Sequence, residues 1–135
     1  MLPEPGSAAD WLRHARSDLA LAQQPPASGV LWETLCFHAQ QAVERSVKAV
    51  LVHLGIEFPK THSVERLTDL LPPLIARCPA LLSADGLTVY ATVLRYPGAH
   101  EAVSEGEFRE ALRLAQAIVA WAERSVSEGK AGPRA

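Results

Sequence analysis

The chain is poor in the residues that announce chemistry by themselves. It has two cysteines in 135 residues, Cys36 and Cys78, too few for a disulfide framework, and no Cys/His cluster has the spacing of a zinc site. No metal ligand set and no cofactor is therefore expected. No apolar run approaches the roughly twenty residues that a spanning helix needs, so no membrane role is expected. The opening MLPEPGSAAD has neither a basic segment nor an apolar one, so a secretory leader is not recognisable and a reducing cytoplasm is the expected compartment. There is no P-loop or GxGxxG element, so a nucleotide would have to bind through helix termini rather than a glycine-rich cradle. Charge of one sign is also missing. The net charge is −2, which disfavours binding to nucleic acid through a broad basic surface, and no DNA partner is expected.

What is present favours helix. Ala and Leu supply 40 residues against 14 for Val and Ile together, and no stretch alternates β-branched residues between turns. An all-α single domain is the expectation. A first helix starts near Ser7, with Asp10 three residues on as a capping signal and Ala8, Leu12, Ala15, Leu19 and Ala22 as its apolar stripe, and ends at Pro25-Pro26. A long second helix, about residues 30–54, is stopped by Gly55. Trp32, Cys36, Ala39, Val43, Val50 and Leu54 line one side of it, with Leu31, Leu35, Ala42 and Ala49 beside them, which makes it the central helix. Its polar strip is narrow: Gln41, Glu44 and Lys48. These residues read either as a solvated face with one i,i+4 ion pair or as a buried polar seam.

Thr61 or Ser63 caps a third helix carrying Leu67, Leu70, Leu71 and Leu74, interrupted at Pro72-Pro73. A fourth helix is expected over about residues 85–94, with Leu87, Tyr90 and Leu94 on one face, stopped by Pro97-Gly98. Ser104 and Glu107 form a capping box for the last helix, whose two apolar stripes are Phe108, Leu112, Ala115, Val119, Ala122 and Val126, and Leu114, Ile118 and Trp121. Two stripes on an end helix fit either a wide core contact or a helix-mediated dimer. Residues 1–7 and 127–135 are expected to be flexible termini around a domain over 8–126.

Three strings, FHAQQAVERSVKAVLVHLGI, KTHSVERL and VLRYPGAH, in this order and followed by an amphipathic helix, resemble the HEPN domain family. The resemblance runs over about residues 8–126 and is closest to the small stand-alone bacterial and archaeal type associated with a minimal nucleotidyltransferase. It implies an up-and-down bundle of four to five helices, usually a homodimer. It also implies one half of a two-component, toxin–antitoxin-like system in which active members are metal-independent endoribonucleases. The family's Arg, four to six variable residues, then His falls on Arg95 and His100. A shared cleft at the dimer axis would then hold both residues from each copy. The alternative the resemblance allows is a non-catalytic partner of the nucleotidyltransferase that binds a nucleotide or serves as a scaffold.

The chemistry suits these residue types. Histidine takes and gives protons near neutrality, and arginine holds phosphate oxygens through its bidentate fork. Residues five apart on a continuous helix diverge, so the pair needs the break at Pro97-Gly98 to converge. Tyr96 is the nearest aromatic for stacking on a base, with Tyr90 behind it. In the bland reading, the ring of Tyr96 packs in the core. Gln41, Glu44 and Lys48 could orient Arg95, and His62 in KTHS reads first as part of a helix cap and second as a ligand group. Two departures stand out. The position after Arg95 is Tyr96 where many active members have a small polar residue, and the His-x-Tyr of the nucleotidyltransferase-paired branch is here His100-Glu101-Ala102. That tyrosine accepts adenylyl groups in the branch, so this mode of regulation is not expected. Glu101, Glu105 and Glu107 also set an unfavourable field for an RNA backbone.

Overall fold

Ser7 starts the first helix as its spacing predicts. In the computed structural model, which describes residues 1–73, 75, 78–92, 96–98 and 101–131 (side chains through 127), helix α1 spans Ala8–Gln23. The hydroxyl of Ser7 accepts from the Asp10 N–H at 3.2 Å. Asp10 reaches back to the N–H of Gly6 at 3.0 Å, because the N–H of Ser7 is already bonded to the carbonyl of Glu4. The capping box is thus displaced by one residue.

Helix α2, Trp32–His53, is the centre of the molecule. It closes with a Schellman motif: Ile56 N–H donates to the Leu51 carbonyl at 2.9 Å and Gly55 N–H to Val52 at 3.0 Å. Gly55 holds φ +75°, a conformation that costs an L side chain about 1 kcal/mol or more. Cys36, Ala39, Val43, Val47 and Val50 are completely buried. Leu31, expected on the apolar side, lies just outside the first turn and is exposed.

Helices α1 and α5 (Glu105–Ala131) pack on α2 and on each other. Arg16 pairs with Glu123 across the α1–α5 contact, and Gln116 donates to Gln23 at 2.9 Å. The start of α5 carries the reciprocal box that Ser104 and Glu107 predict, with the two bonds at 3.1 and 2.9 Å. Both of its apolar stripes are covered within this one chain. Leu114, Ile118 and Trp121 are buried along with Phe108, Ala115, Val119 and Ala122, while Leu112 and Val126 pack partly buried against the core. The wide core contact accounts for the pattern, so the stripes alone do not call for a second copy.

The middle of the chain departs from expectation. The third helix, α3, is only Val64–Asp69. It ends before Leu70 and Leu71 because Pro72 disfavours helix at the residue before it, and Leu74 lies outside the described residues. Instead of one fourth helix there are two short pieces, α4 (Ala80–Ser83) and a 3₁₀ helix (Ala84–Ala91). Gly86, Thr88 and Val89 are weak α-formers, so the segment tightens while still burying Leu87 and Tyr90. Leu94 lies outside the described residues. Among the described residues there is no strand, and no helix is long and apolar enough to cross a membrane. The fold is the all-α, up-and-down bundle.

Candidate functional site

The polar strip of α2 is not a solvated face. Gln40, Gln41, Glu44 and Lys48 are 0%, 7%, 3% and 9% exposed, and the Glu44 carboxylate is the hub that joins them. One of its oxygens accepts from Gln40 Nε2 at 3.0 Å, Gln41 Nε2 at 3.3 Å and His62 Nδ1 at 3.0 Å; the other accepts from Lys48 Nζ at 2.8 Å. Gln41 also donates to Gln40 Oε1 at 2.6 Å. The Lys48 ammonium lies 5.2 Å from the ring centre of Trp11 and 5.6 Å from that of Phe58. Each charge therefore has a partner, without which burial would be prohibitive. Burial pushes the Glu44 carboxyl up, but the hydrogen bonds from Lys48, Gln40 and His62 and the Lys48 charge outweigh it, holding Glu44 below the usual glutamate range.

His62 does more than occupy a cap. The cap itself is made by its neighbours: Thr61 Oγ1 accepts from Ser63 N–H at 3.0 Å, and Ser63 Oγ accepts from Arg66 N–H at 3.2 Å. The His62 ring instead turns to Glu44 and is about half exposed (51%), while the carboxylate it meets is 4% exposed. One hydrogen bond, Val64 N–H to Thr88 Oγ1 at 3.2 Å, ties this loop to the 3₁₀ helix.

Arg95 and His100 lie outside the described residues. Between them, Tyr96 is 67% exposed and Gly98 holds φ +85°, the left-handed turn expected at Pro97-Gly98. Of the two readings of Tyr96, the bland one, with its ring packed in the core, does not hold. The buried tyrosine is Tyr90; burial above all pushes its phenol up to about 12 and the Cys36 thiol up to about 11. Cys36 is a core residue, as expected. The acid residues that begin α5 are partly neutralised. Glu105 pairs with Arg109 at 2.5 Å, Glu110 with Arg113 at 2.7 Å, and Glu107 is engaged at the helix start.

Sequence reasoning missed Gln40, Trp11 and Phe58 as members of the cluster, and a second polar hub altogether. Asp18 of α1, 7% exposed, accepts from Arg45 Nη1 at 2.5 Å and lies 2.9 Å from His38 Nδ1. The available signal was an acid inside the apolar pattern of α1. Among the described residues no group of three or more His, Cys, Asp or Glu is placed to hold a metal.

A family model described as HEPN domain matches residues 8–125. The crystal structure of TT1696 from Thermus thermophilus is similar to this chain at 34% identity and a TM-score of 0.76, covering 89% of this chain and 98% of that one. The crystal structure of ST0689, an archaeal HEPN homologue, is similar at 28% identity and a TM-score of 0.68 over the same shares. No protein of curated function matches.

Proposed function

The chain belongs to the HEPN family, and from that premise we propose that it is the HEPN subunit of a two-component system with a minimal nucleotidyltransferase, acting as a metal-independent endoribonuclease. Arg95 clamps the scissile phosphate and His100 carries the proton. The observation that supports this reading is the turn between them: an exposed Tyr96 followed by Pro97 and a left-handed Gly98, which bends the chain within the Arg-to-His interval and leaves an aromatic ring open to a base. The functional unit is residues 8–126, and two copies contribute Arg95 and His100 to one cleft.

The reaction is a transesterification. The 2′-hydroxyl of the RNA attacks the adjacent phosphorus, the O2′–P bond forms and the P–O5′ bond breaks. One proton leaves O2′ and one is delivered to O5′, giving a 2′,3′-cyclic phosphate and a 5′-hydroxyl. Proton transfer by a positioned histidine is worth about 10²–10⁴-fold, and a charged contact on the phosphate about 10²–10³-fold.

A specific observation favours the second reading, a non-catalytic partner that binds a nucleotide or serves as a scaffold. Glu101, just before α5, and Glu105, Glu107 and Glu110 in its first turns are all exposed, immediately after the loop that would receive the polyanion. One experiment separates the two: structured RNA is incubated with the protein in excess EDTA, beside Arg95→Ala and His100→Ala. Cleavage by the native chain that both substitutions abolish supports the ribonuclease. No cleavage, with thermal stabilisation by a nucleotide or by the nucleotidyltransferase, supports the partner.

A further inference from the structure

We propose that Asp18, His38 and Arg45 form a phosphate-binding site between α1 and α2, in which Asp18 holds the two basic side chains and both present their remaining nitrogens to one phosphate group. The proposal goes beyond the ribonuclease reading and draws on neither Arg95 nor His100.

The carboxylate of Asp18 is buried, and its two oxygens are taken by different partners. Oδ2 accepts from Arg45 Nη1 at 2.5 Å, and Oδ1 lies 2.9 Å from His38 Nδ1. Arg45 alone cancels the charge of Asp18, so burial of the acid does not require the histidine as well. His38 and Arg45 are seven residues apart on α2, about 10 Å along the helix axis. Their side-chain ends meet because one carboxylate draws both inward. The acid is buried while the His38 and Arg45 side chains stay 26% and 32% exposed.

The nitrogens left over suit a phosphate. Arg45 spends one nitrogen on Asp18, and among the described residues its Nε and Nη2 make no hydrogen bond. Those two form the edge of the guanidinium that grips two phosphate oxygens at once. An ionised carboxylate only accepts, so Asp18 fixes the hydrogen of His38 on Nδ1 and leaves Nε2, also without a partner among the described residues, for a third oxygen. Nε2 accepts from a protonated phosphate oxygen, or donates once the ring is charged. The neighbouring acids do not compete for the two bases. Asp10 of α1 is engaged by Arg13 and the Gly6 N–H, and Glu44 of α2 is turned to Lys48 and His62. Asp18 touches no phosphate in this arrangement and is a positioning residue.

The test is a titration of the full chain with inorganic phosphate, read by ¹⁵N NMR at Arg45 Nε and His38 Nε2. Both resonances are expected to move together and to saturate with a Kd below about 1 mM. Arg45→Lys keeps a charge for Asp18 but has no fork. It is expected to melt near the native temperature and to bind about 10–100-fold more weakly. Should that variant not fold, the native titration decides alone. Adenosine, which has no phosphate, should move neither resonance. Displacement of phosphate by AMP assigns the site to a terminal phosphate, and displacement by a 2′-deoxy oligonucleotide without terminal phosphates assigns it to a backbone one; either supports the site. No shift at Arg45 and His38, or native affinity in a folded Arg45→Lys, overturns it. Neither result bears on cleavage, which Arg95→Ala and His100→Ala test separately.

Discussion

Lys48 reaches back one helical turn to Glu44, 2.8 Å from nitrogen to oxygen, and the pair is buried, with the ammonium beside the rings of Trp11 and Phe58. An ion pair in this setting is expensive to break from one side. Glu44→Ala leaves a buried ammonium without its carboxylate and removes one acceptor from each of two glutamine amides, and should cost about 3–5 kcal/mol in urea unfolding. Replacing both charges together, as Glu44→Leu with Lys48→Met, should cost much less than that single change, since well-packed apolar pairs replace buried ion pairs with little loss.

The same hub gives a pH dependence of defined sign. The folded Glu44 carboxyl lies below its ordinary value of 4.5, so its contribution is complete above about pH 4.5 and is lost as pH falls through the folded value. Subtracting the stability–pH curve of Glu44→Gln from that of the native chain should leave a difference that shrinks on acidification below about pH 4.5. A flat difference between about pH 3 and 6 would contradict this.

Asp18 is the second point of weakness. Asp18→Ala removes the acceptor of Arg45 and the partner of His38; because both partners are partly exposed, the loss should be about 1–3 kcal/mol, less than at Glu44. Thermal melting of the two alanine variants side by side checks the order.

The cysteines should differ in reactivity. Cys36 is fully buried, with its thiol pushed up to about 11 by burial, whereas Cys78 is partly exposed. Iodoacetamide at about pH 8 should add one label to the folded protein, at Cys78, and two after denaturation, counted by mass spectrometry.

Gly98 links structure to activity. Its φ of +85° disfavours any other residue, so Gly98→Ala should cost about 1–2 kcal/mol. If the turn aims Arg95 and His100, cleavage should fall by about 10²-fold, far beyond what the stability loss explains.

Much of the architecture was legible because the long helices carry redundant signals. Ser7, Gly55 and the Ser104–Glu107 pair mark ends that the apolar stripes of α1, α2 and α5 independently require. The segment from Leu70 to Ala91 was not legible in the same way. Leu87 and Tyr90 are three apart, a spacing that α and 3₁₀ helices share, so periodicity could not separate the expected α-helix from the 3₁₀ helix that forms. The α2 strip was ambiguous for a different reason. Gln41, Glu44 and Lys48 have the same spacing whether they face water or other side chains. What decides is Trp11, Phe58 and His62, which other segments of the chain bring in and which no local pattern on α2 contains.

The most direct measurement is the chemistry of the RNA ends. RNA incubated with the purified protein in excess EDTA should yield fragments carrying a 2′,3′-cyclic phosphate and a 5′-hydroxyl, as required when the neighbouring hydroxyl is the nucleophile. Fragments bearing 5′-phosphates, or intact RNA, would contradict the account.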